Sequence, residues 1–476
     1  MVAMTAIHER SSSLTHFPTP AHTATLRAAQ AWQAAGVVVI WLTSLFVAAL
    51  WVAGGGLQAT IGGGAEALIS AGRLTGLGSA NLLLYQVLLM ARVPLFERAF
   101  GHDALTRAHR LTGFWSFWLF LAHVVLTVAG YAAGALIGFF DQLAQMVVQS
   151  VDMTLAVVGT ILIVGVVALS IRRARRRLRY ESWHLLHLYA YLGVGLALPH
   201  QLFSGADFLA FPWAAAYWWA LWAVAAGCVL VFRLGAPLAR SIRHRIRVES
   251  VTPDGSTGVC VQMSGHRLDQ LDVRAGQFFV WRFLDGPGWT RGHPFSISAR
   301  PSDDRLTITA RIVGDGTQRL TRMAPGTSVL VEGPYGHLTG DRRRGHKLLM
   351  LGAGAGVAPL VSILQEQPYE PGQATLVTRD SRPDEALLTT SIDQLVAQRG
   401  LTHVAMIGPR SRRTSSWLPR SWEQWTGPEL LQQLAPGLSD YDIYLCGPGP
   451  WMRSLRNDLE SLSVDPGHIH SEDFDI

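Results

Sequence analysis

Between residues 33 and 233 the apolar residues of this chain gather into six blocks, at 33–53, 74–93, 109–131, 151–171, 183–203 and 212–233. Each is long enough, or nearly so, for a helix to cross roughly 30 Å of hydrocarbon at about 1.5 Å per residue. A bilayer core offers no water to bond stray backbone groups, so blocks of this length predict membrane helices before anything else is considered. The second block is the most polar: Arg73 precedes it, Asn81 lies within it, and its continuous apolar core LLLYQVLLM (82–90) is short. Composition agrees, because 49% hydrophobic and 16% charged residues with mean hydropathy +0.22 are too apolar for a soluble enzyme of this size. The half beyond residue 240 reads instead as ordinary globular sequence.

Arginine sets the expected orientation. All but one of the 40 basic residues are arginine, and they crowd two connections, 92–110 and 172–180. Both are therefore expected on the cytoplasmic side, with the termini, while the connections near 54–73, 132–150 and 204–211 face outward. A net charge of +6 then reflects membrane topology, and no motif points to a nucleic-acid partner. The polar first thirty residues lack a small-residue cleavage pattern, so no cleaved signal peptide is expected. Cys228, Cys260 and Cys446 are scattered, which excludes a C-x-x-C pair and a four-cysteine iron–sulfur cluster.

Histidines inside such helices are costly and call for a reason. His109 and His123 stand fourteen residues apart in the third block, and His187 and His200 thirteen apart in the fifth. These steps correspond to about 21 Å and about 19.5 Å of helix. Two helices running the same way would thus present two imidazole pairs at two heights, and an imidazole from each side is a common way to hold haem iron. The expectation is two stacked b-type haems, His109 with His187 on the cytoplasmic side and His123 with His200 on the outer side. On an ideal helix thirteen residues leave His187 and His200 about 140° apart, so a distortion at Pro199 is needed. The bland alternative is that these histidines cap helices or bond backbone carbonyls. His184, one turn from His187, is read as interfacial, or else as its substitute.

After a basic connection at 234–248, strand-like runs at 275–284, 293–298, 305–314 and 327–336 predict a small antiparallel barrel. KLLMLGAGAGVAPLVSILQ (347–365) then carries an apolar strand into a glycine turn and a helix, an order that lets amides and a helix terminus cradle a pyrophosphate. Further strands at 373–380 and 442–452 complete an alternating α/β pattern. The expected domains are an amino-terminal tail (1–31), a six-helix haem-binding transmembrane bundle (32–235), an antiparallel β-barrel (241–340) and an α/β nucleotide-binding domain (341–476).

At HPFSIS (293–298), GPYG (333–336), GAGAGVAP (352–359), LCGP (445–448) and the terminal HSEDFDI, the sequence resembles the ferredoxin–NADP reductase superfamily. With the histidine pairs it is similar to that superfamily's membrane branch, the ferric reductase and NADPH oxidase family. The resemblance implies that the barrel binds FAD through His293, Pro294, Phe295, Ser296, Ile297 and Ser298 and through Gly333, Pro334, Tyr335 and Gly336. Phe295 would pack on the flavin and Ser296 would sit near its reactive nitrogen. His293 stands where related soluble reductases have an arginine, so Arg311 and Thr317 become the candidate pyrophosphate ligands. Gly352, Gly354, Gly356, Val357 and Pro359 would hold the dinucleotide, with Cys446, Gly447 and Pro448 beside the hydride-transfer site. Phe474 would cover the flavin, as the family's terminal aromatic does. Arg379, Ser381, Arg382, Arg410, Arg412 and Arg413 are candidates to pair with a 2′-phosphate, against Asp380 and against a merely solvated basic face.

The expected activity is a transmembrane oxidoreductase carrying electrons from NAD(P)H, through FAD and two b-type haems, to an extracytoplasmic acceptor. That acceptor is oxygen, a ferric chelate, a quinone or a flavoprotein. The expected location is a plasma or inner membrane, multi-pass in lipid, with the dehydrogenase half in the cytoplasm. Two alternatives stay open: a membrane-tethered flavin reductase without haem, and an ion-conducting bundle with a dinucleotide-sensing domain.

Overall fold

Six long helices follow the six apolar blocks: α1 (Thr19–Ala53), α2 (Gly64–Met90), α3 (His102–Ala135), α4 (Val151–Ser170), α5 (Tyr180–Phe203) and α6 (Pro212–Cys228). A π-helical turn, Val229–Gly235, joins α6 to α7 (Ala236–His244). The structure, a computed structural model, describes residues 19–171, 180–286 and 288–473. The arginine-rich connection at 172–179, the side chain of His184 and Phe474 lie outside the described residues.

Four stretches are long and apolar enough to cross a membrane: Ala31–Ala53, Ala104–Ala135, Val151–Ser170 and Pro212–His244. The blocks at 74–93 and 183–203 also form helices, α2 and α5, but among the described residues neither reaches that apolarity. For α2 the reason is visible in its side chains. Ser79 Oγ donates to the Ser116 carbonyl at 2.8 Å, Gln86 Nε2 bonds Ser116 Oγ, and Asn81 Nδ2 donates to the Tyr85 hydroxyl at 2.9 Å. These polar side chains are thus engaged inside the bundle, although Asn81 Oδ1 is buried without a partner. Outward faces carry large exposed apolar residues such as Trp41, Leu111, Trp115, Ile161 and Trp213, a surface suited to lipid.

Small residues bring the helices together in pairs. A Cβ on Gly72 of α2 would lie 2.4 Å from Thr127 Oγ1 of α3, and one on Gly159 of α4 would lie 2.5 Å from the Gly193 carbonyl of α5. Backbones this close gain van der Waals contact where lipid supplies no hydrophobic drive.

The next part contains β1 (Arg247–Asp254), β2 (Gly258–Ser264), β3 (Phe278–Phe283), β4 (His293–Ser296), β5 (Arg305–Arg311) and β6 (Val329–Tyr335). They form two three-stranded antiparallel sheets, β1-β2-β5 and β4-β3-β6, joined by isolated bridges at Arg247–Ser328 and Ile297–Ile308. The small antiparallel barrel expected from sequence is thus seen as two antiparallel sheets linked at both edges by single bridges. The sheets enclose one core of Val261, Met263, Phe279, Trp281, Ile297 and Ile308, all essentially without exposure. β1 and β2 were not expected from sequence, since β1 contains Pro253 and polar residues on both faces.

The last part is a five-stranded parallel sheet in the order β11-β10-β7-β8-β9. Its strands are β7 (Lys347–Ala353), β8 (Ala374–Asp380), β9 (Thr402–Ile407), β10 (Tyr441–Gly447) and β11 (Ile469–Asp473). Helices α8 (Val357–Glu366), α9 (Thr389–Arg399), α10 (Gly427–Leu434) and α11 (Gly449–Ser461) accompany it. Strand order reverses between β7 and β10, and ligands of such sheets bind outside the carboxyl ends of the strands at that switch.

At the opposite end of β10, the fully buried Asp442 accepts from His470 Nε2 at 2.8 Å and from the Arg344 and Gly345 amides. Burial pushes its carboxyl up, but these hydrogen bonds outweigh burial and hold it below the usual carboxylate range. A depressed folded value means that the contribution is fully present above the unfolded value of about 4 and is lost as pH falls through the folded one. Thermal melts should therefore show acid destabilisation below about pH 4 that is weaker in Asp442→Asn, which is itself less stable at neutral pH. Parallel melting curves for the two proteins across that range would contradict this assignment.

Candidate haem, flavin and dinucleotide sites

α3 and α5 bring the four membrane histidines into the two pairs expected from their spacing. The His109 and His187 ring centres are 6.2 Å apart with planes crossing at 69°, and the His123 and His200 centres are 6.2 Å apart at 31°. The angular mismatch of an ideal helix is overcome although α5 runs unbroken through Pro199. The two pairs differ in ring angle.

The pairs suit a metal held from both sides. Two metal–imidazole bonds of about 2.0–2.1 Å, plus roughly 1 Å from each bonding nitrogen to its ring centre, come to about 6 Å. The Nδ1 atoms of His109 and His200 are buried without a hydrogen-bond partner. His123 Nδ1 donates to the Gly72 carbonyl at 2.8 Å, which fixes the ring and leaves Nε2 as the nitrogen with a free lone pair. Gly76 makes room for that ring, since a Cβ there would lie 2.5 Å from His123 Nδ1. His187 Nδ1 faces Ser170 Oγ at 3.4 Å. Among the described residues no cluster of three or more His, Cys, Asp or Glu exists to hold a metal without an added macrocycle.

In the two-sheet part, β4 displays HPFS along its edge against β3. The His293 and Phe295 rings are 6.0 Å apart and nearly parallel, at 20°. Trp281 Nε1 donates to the Phe295 carbonyl at 3.0 Å and so anchors this strand from the core. Ser296 Oγ is buried with no hydrogen-bond partner, which fits a residue that would bond a bound cofactor. Ser298 Oγ, by contrast, accepts from Thr309 Oγ1 at 3.0 Å, and Ile297 is core. At the end of β6, Gly336 has φ +97°, and a Cβ on it would meet the Glu472 carboxylate at 2.8 Å. Cys446 Sγ lies 3.7 Å from the Glu472 carbonyl, so Gly333–Gly336, β10 and β11 converge. Sequence reasoning missed Glu472, whose only signal was its place in HSEDFDI.

Both glycine-bearing turns expected to hold the dinucleotide meet at the switch point. β7 leads through Gly352 and Gly354 to Gly356 at the start of α8, and a Cβ on Gly356 would lie 2.1 Å from the Cys446 carbonyl. Val357 and Pro359 are buried in the first turn of α8. Gly447 and Pro448 continue from β10 to the start of α11.

The candidate arginines differ in their partners. Arg311 is engaged with the nucleotide-binding part: Nη2 bonds Asp380 Oδ1 at 2.6 Å and the Glu385 carbonyl at 2.7 Å. Its guanidinium carbon is 3.5 Å from where a Gly354 Cβ would be. Thr317 Oγ1 accepts from the Val313 amide at 2.9 Å and donates to the Gly314 carbonyl at 3.0 Å, organising its own turn. Arg379 is buried and donates to the carbonyls of Asp380 and Gly408. Arg382 pairs with Asp384 at 2.8 Å. Arg410, Arg412 and Arg413 are exposed, and of these candidates they are the ones without a recorded side-chain bond. Burial raises the Asp380 carboxyl above its usual range, with the Arg311 bond opposing.

Residues 75–198, which include His109, His123 and His187, match the family described as ferric reductase like transmembrane component, and residues 350–457 match the oxidoreductase NAD-binding domain. A segment matching a ferric reductase like transmembrane component is thus followed in this chain by one matching an oxidoreductase NAD-binding domain. It is 24% identical over 210 residues to the ferredoxin reductase component of 3-ketosteroid-9-alpha-monooxygenase from Rhodococcus rhodochrous, covering 43% of this chain and 57% of that one. It is 29% identical over 211 residues to respiratory burst oxidase homolog protein F of Arabidopsis thaliana, covering 39% of this chain and 21% of that one. Among solved structures, the ferredoxin NADP+ reductase from Neisseria gonorrhoeae with bound FAD and NADP aligns over 48% of this chain and 98% of its own, with 22% identity and TM-score 0.40.

Proposed function

We propose that the chain is a transmembrane oxidoreductase that carries electrons from NAD(P)H, by way of FAD and two b-type haems, to an acceptor on the far side of the membrane. The observation that carries this reading is the convergence of four histidines from α3 and α5 into two pairs, each 6.2 Å between ring centres. When bound, a flavin supplies hydride acceptance with one-electron release, and haem iron supplies one-electron transfer. The residues do the rest: His109, His187, His123 and His200 hold iron, Gly72 and Gly76 orient and seat His123, and the apolar helices exclude water around both pairs. Phe295 and Ser296 receive the flavin ring, while Gly352–Gly356 and Cys446–Pro448 receive the dinucleotide. Six spans, a plasma or inner membrane and a cytoplasmic dehydrogenase half belong to this proposal, supported by the arginine distribution.

Oxygen, reduced by one electron to superoxide, is the acceptor the outer side favours. Arg73 is the only basic residue in the connections expected to face outward. It is paired with the buried Asp207 through Nε at 3.0 Å and also donates to the Gly54 carbonyl at 3.1 Å. Gln201 accepts from Trp218 Nε1 at 3.1 Å. An anionic ferric chelate would meet no uncommitted cation there, whereas a small neutral molecule needs none.

The deciding experiment is the absorbance spectrum of detergent-purified protein, recorded without air before and after NADPH. Bands of six-coordinate low-spin haem that become reduced are the expected result. Flavin bleaching without haem bands, in protein made with ample haem, would leave the tethered flavin reductase instead. Readmitting air should then yield superoxide that iron chelators do not suppress.

A further inference from the structure

The carboxylate of Glu332, on β6 immediately before Gly333, is almost completely buried, with 5% of its side chain exposed. Three arginines from three separate segments surround it. Arg282 of β3 approaches Oε2 at 3.3 Å, and Arg92, between α2 and α3, and Arg233, in the π-helical turn after α6, each approach Oε1 at 4.0 Å. The Tyr335 hydroxyl donates to Oε1 at 3.1 Å, and the Arg92 guanidinium lies 4.2 Å from the Tyr335 ring centre.

Two of these arginines come from the membrane part. Arg92 has φ +60°, a left-handed conformation rarely held by a side-chain-bearing residue without compensation. Arg233 belongs to a seven-residue π-helical turn, a geometry that re-aims side chains relative to an ordinary helix and recurs at functional sites. Neighbouring bonds run the same way: Arg240 donates to the Gly333 carbonyl at 2.8 Å, Ser241 Oγ accepts from the Val331 amide at 3.0 Å, and His337 Nε2 donates to the Glu97 carbonyl at 2.8 Å. Burial pushes the Glu332 carboxyl up, yet the three guanidiniums hold it below its usual range and therefore ionised.

We propose that Glu332 is a positioning residue for electron transfer between the two halves, fastening the loop after α2 and the turn after α6 to the strand that enters the Gly333–Gly336 flavin segment. This rests on the flavin-to-haem route above. Arg92 also pairs with Glu97 of its own segment at 3.3 Å, so neutralising Glu332 leaves that local pair and removes the charge that ties both membrane segments to β6; the junction, rather than either half, would loosen. Transfer between two fixed groups then slows, because small displacements of positioned groups cost large factors in rate.

Air-free stopped-flow absorbance with NADPH, on FAD- and haem-loaded protein, separates the two steps. Glu332→Gln should retain haem and flavin and bleach flavin within about twofold of the wild-type rate, while haem reduction slows by roughly tenfold or more. Glu332→Asp should recover most of that loss. Haem reduction at the wild-type rate in Glu332→Gln overturns the inference. Should that variant lose its cofactors, Arg233→Gln decides by the same ratio of rates, because it leaves Glu332 paired with Arg282. Wild-type protein that bleaches flavin but never reduces haem overturns the route and this inference with it.

Discussion

Replacing His123 with alanine should remove the outer haem and stop transmembrane electron flow, while NADPH-driven flavin bleaching continues near its normal rate. Iron held by two imidazoles would lose half of its protein ligands when one is deleted. Of the four proposed ligands, His123 has its Nδ1 tied to the Gly72 carbonyl and its ring seated over Gly76. The difference spectrum should lose one of two low-spin haems, and superoxide production should fall by two orders of magnitude or more, roughly the effect of breaking an essential step. His109→Ala should remove the other haem. His184→Ala should leave both, and loss of haem in that variant with retention in His187→Ala would reassign the inner ligand. Gly76→Leu provides an independent check, because its side chain would occupy the space of the His123 ring and should lower outer-haem occupancy with all four histidines intact.

The second large effect is expected at Gly356. A Cβ there would lie 2.1 Å from the Cys446 carbonyl and 2.8 Å from the Gly447 amide, both backbone atoms that no side-chain rotation can move. Gly356→Val must therefore push apart β7 and β10 at the crevice where the dinucleotide is proposed to bind. Flavin should stay bound, because HPFS lies on a different sheet, whereas flavin reduction by NADPH should fall at least a hundredfold, a loss of about 2.7 kcal/mol of transition-state stabilisation. Normal flavin reduction in this variant would move the dinucleotide away from the glycine turn. Loss of flavin instead would show that the two parts share more of the cofactor site than the convergence at Gly336, Glu472 and Cys446 suggests.

Much of this protein was legible before any tertiary contact was known, because the signals are local. Apolar run length marks helices for a bilayer, as in α1, α3, α4 and α6, and the apolar-strand, glycine-turn, helix order of 347–365 marks a phosphate-binding turn. The steps from His109 to His123 and from His187 to His200 are distances along single helices, so residue number alone measures them. What sequence could not decide are matters of which distant segments meet. The about 140° offset on α5 argued against two pairs on an ideal helix, yet the fold brings His109 to His187 and His123 to His200, each 6.2 Å between ring centres. Sequence could not show that Arg311, a candidate pyrophosphate ligand, bonds Asp380 where β5 approaches β8. Nor could it show that Arg379, a candidate for a 2′-phosphate, donates to the carbonyls of Asp380 and Gly408. α2 looked weak as a span because of Arg73, Asn81 and its short apolar core, and only the neighbouring helices show its Ser79, Asn81 and Gln86 engaged by Ser116 and Ser44. Sequence thus fixes local periodicity and residue chemistry, while the pairing of groups far apart in the chain is decided by packing, which ranks alternatives that local pattern leaves equal.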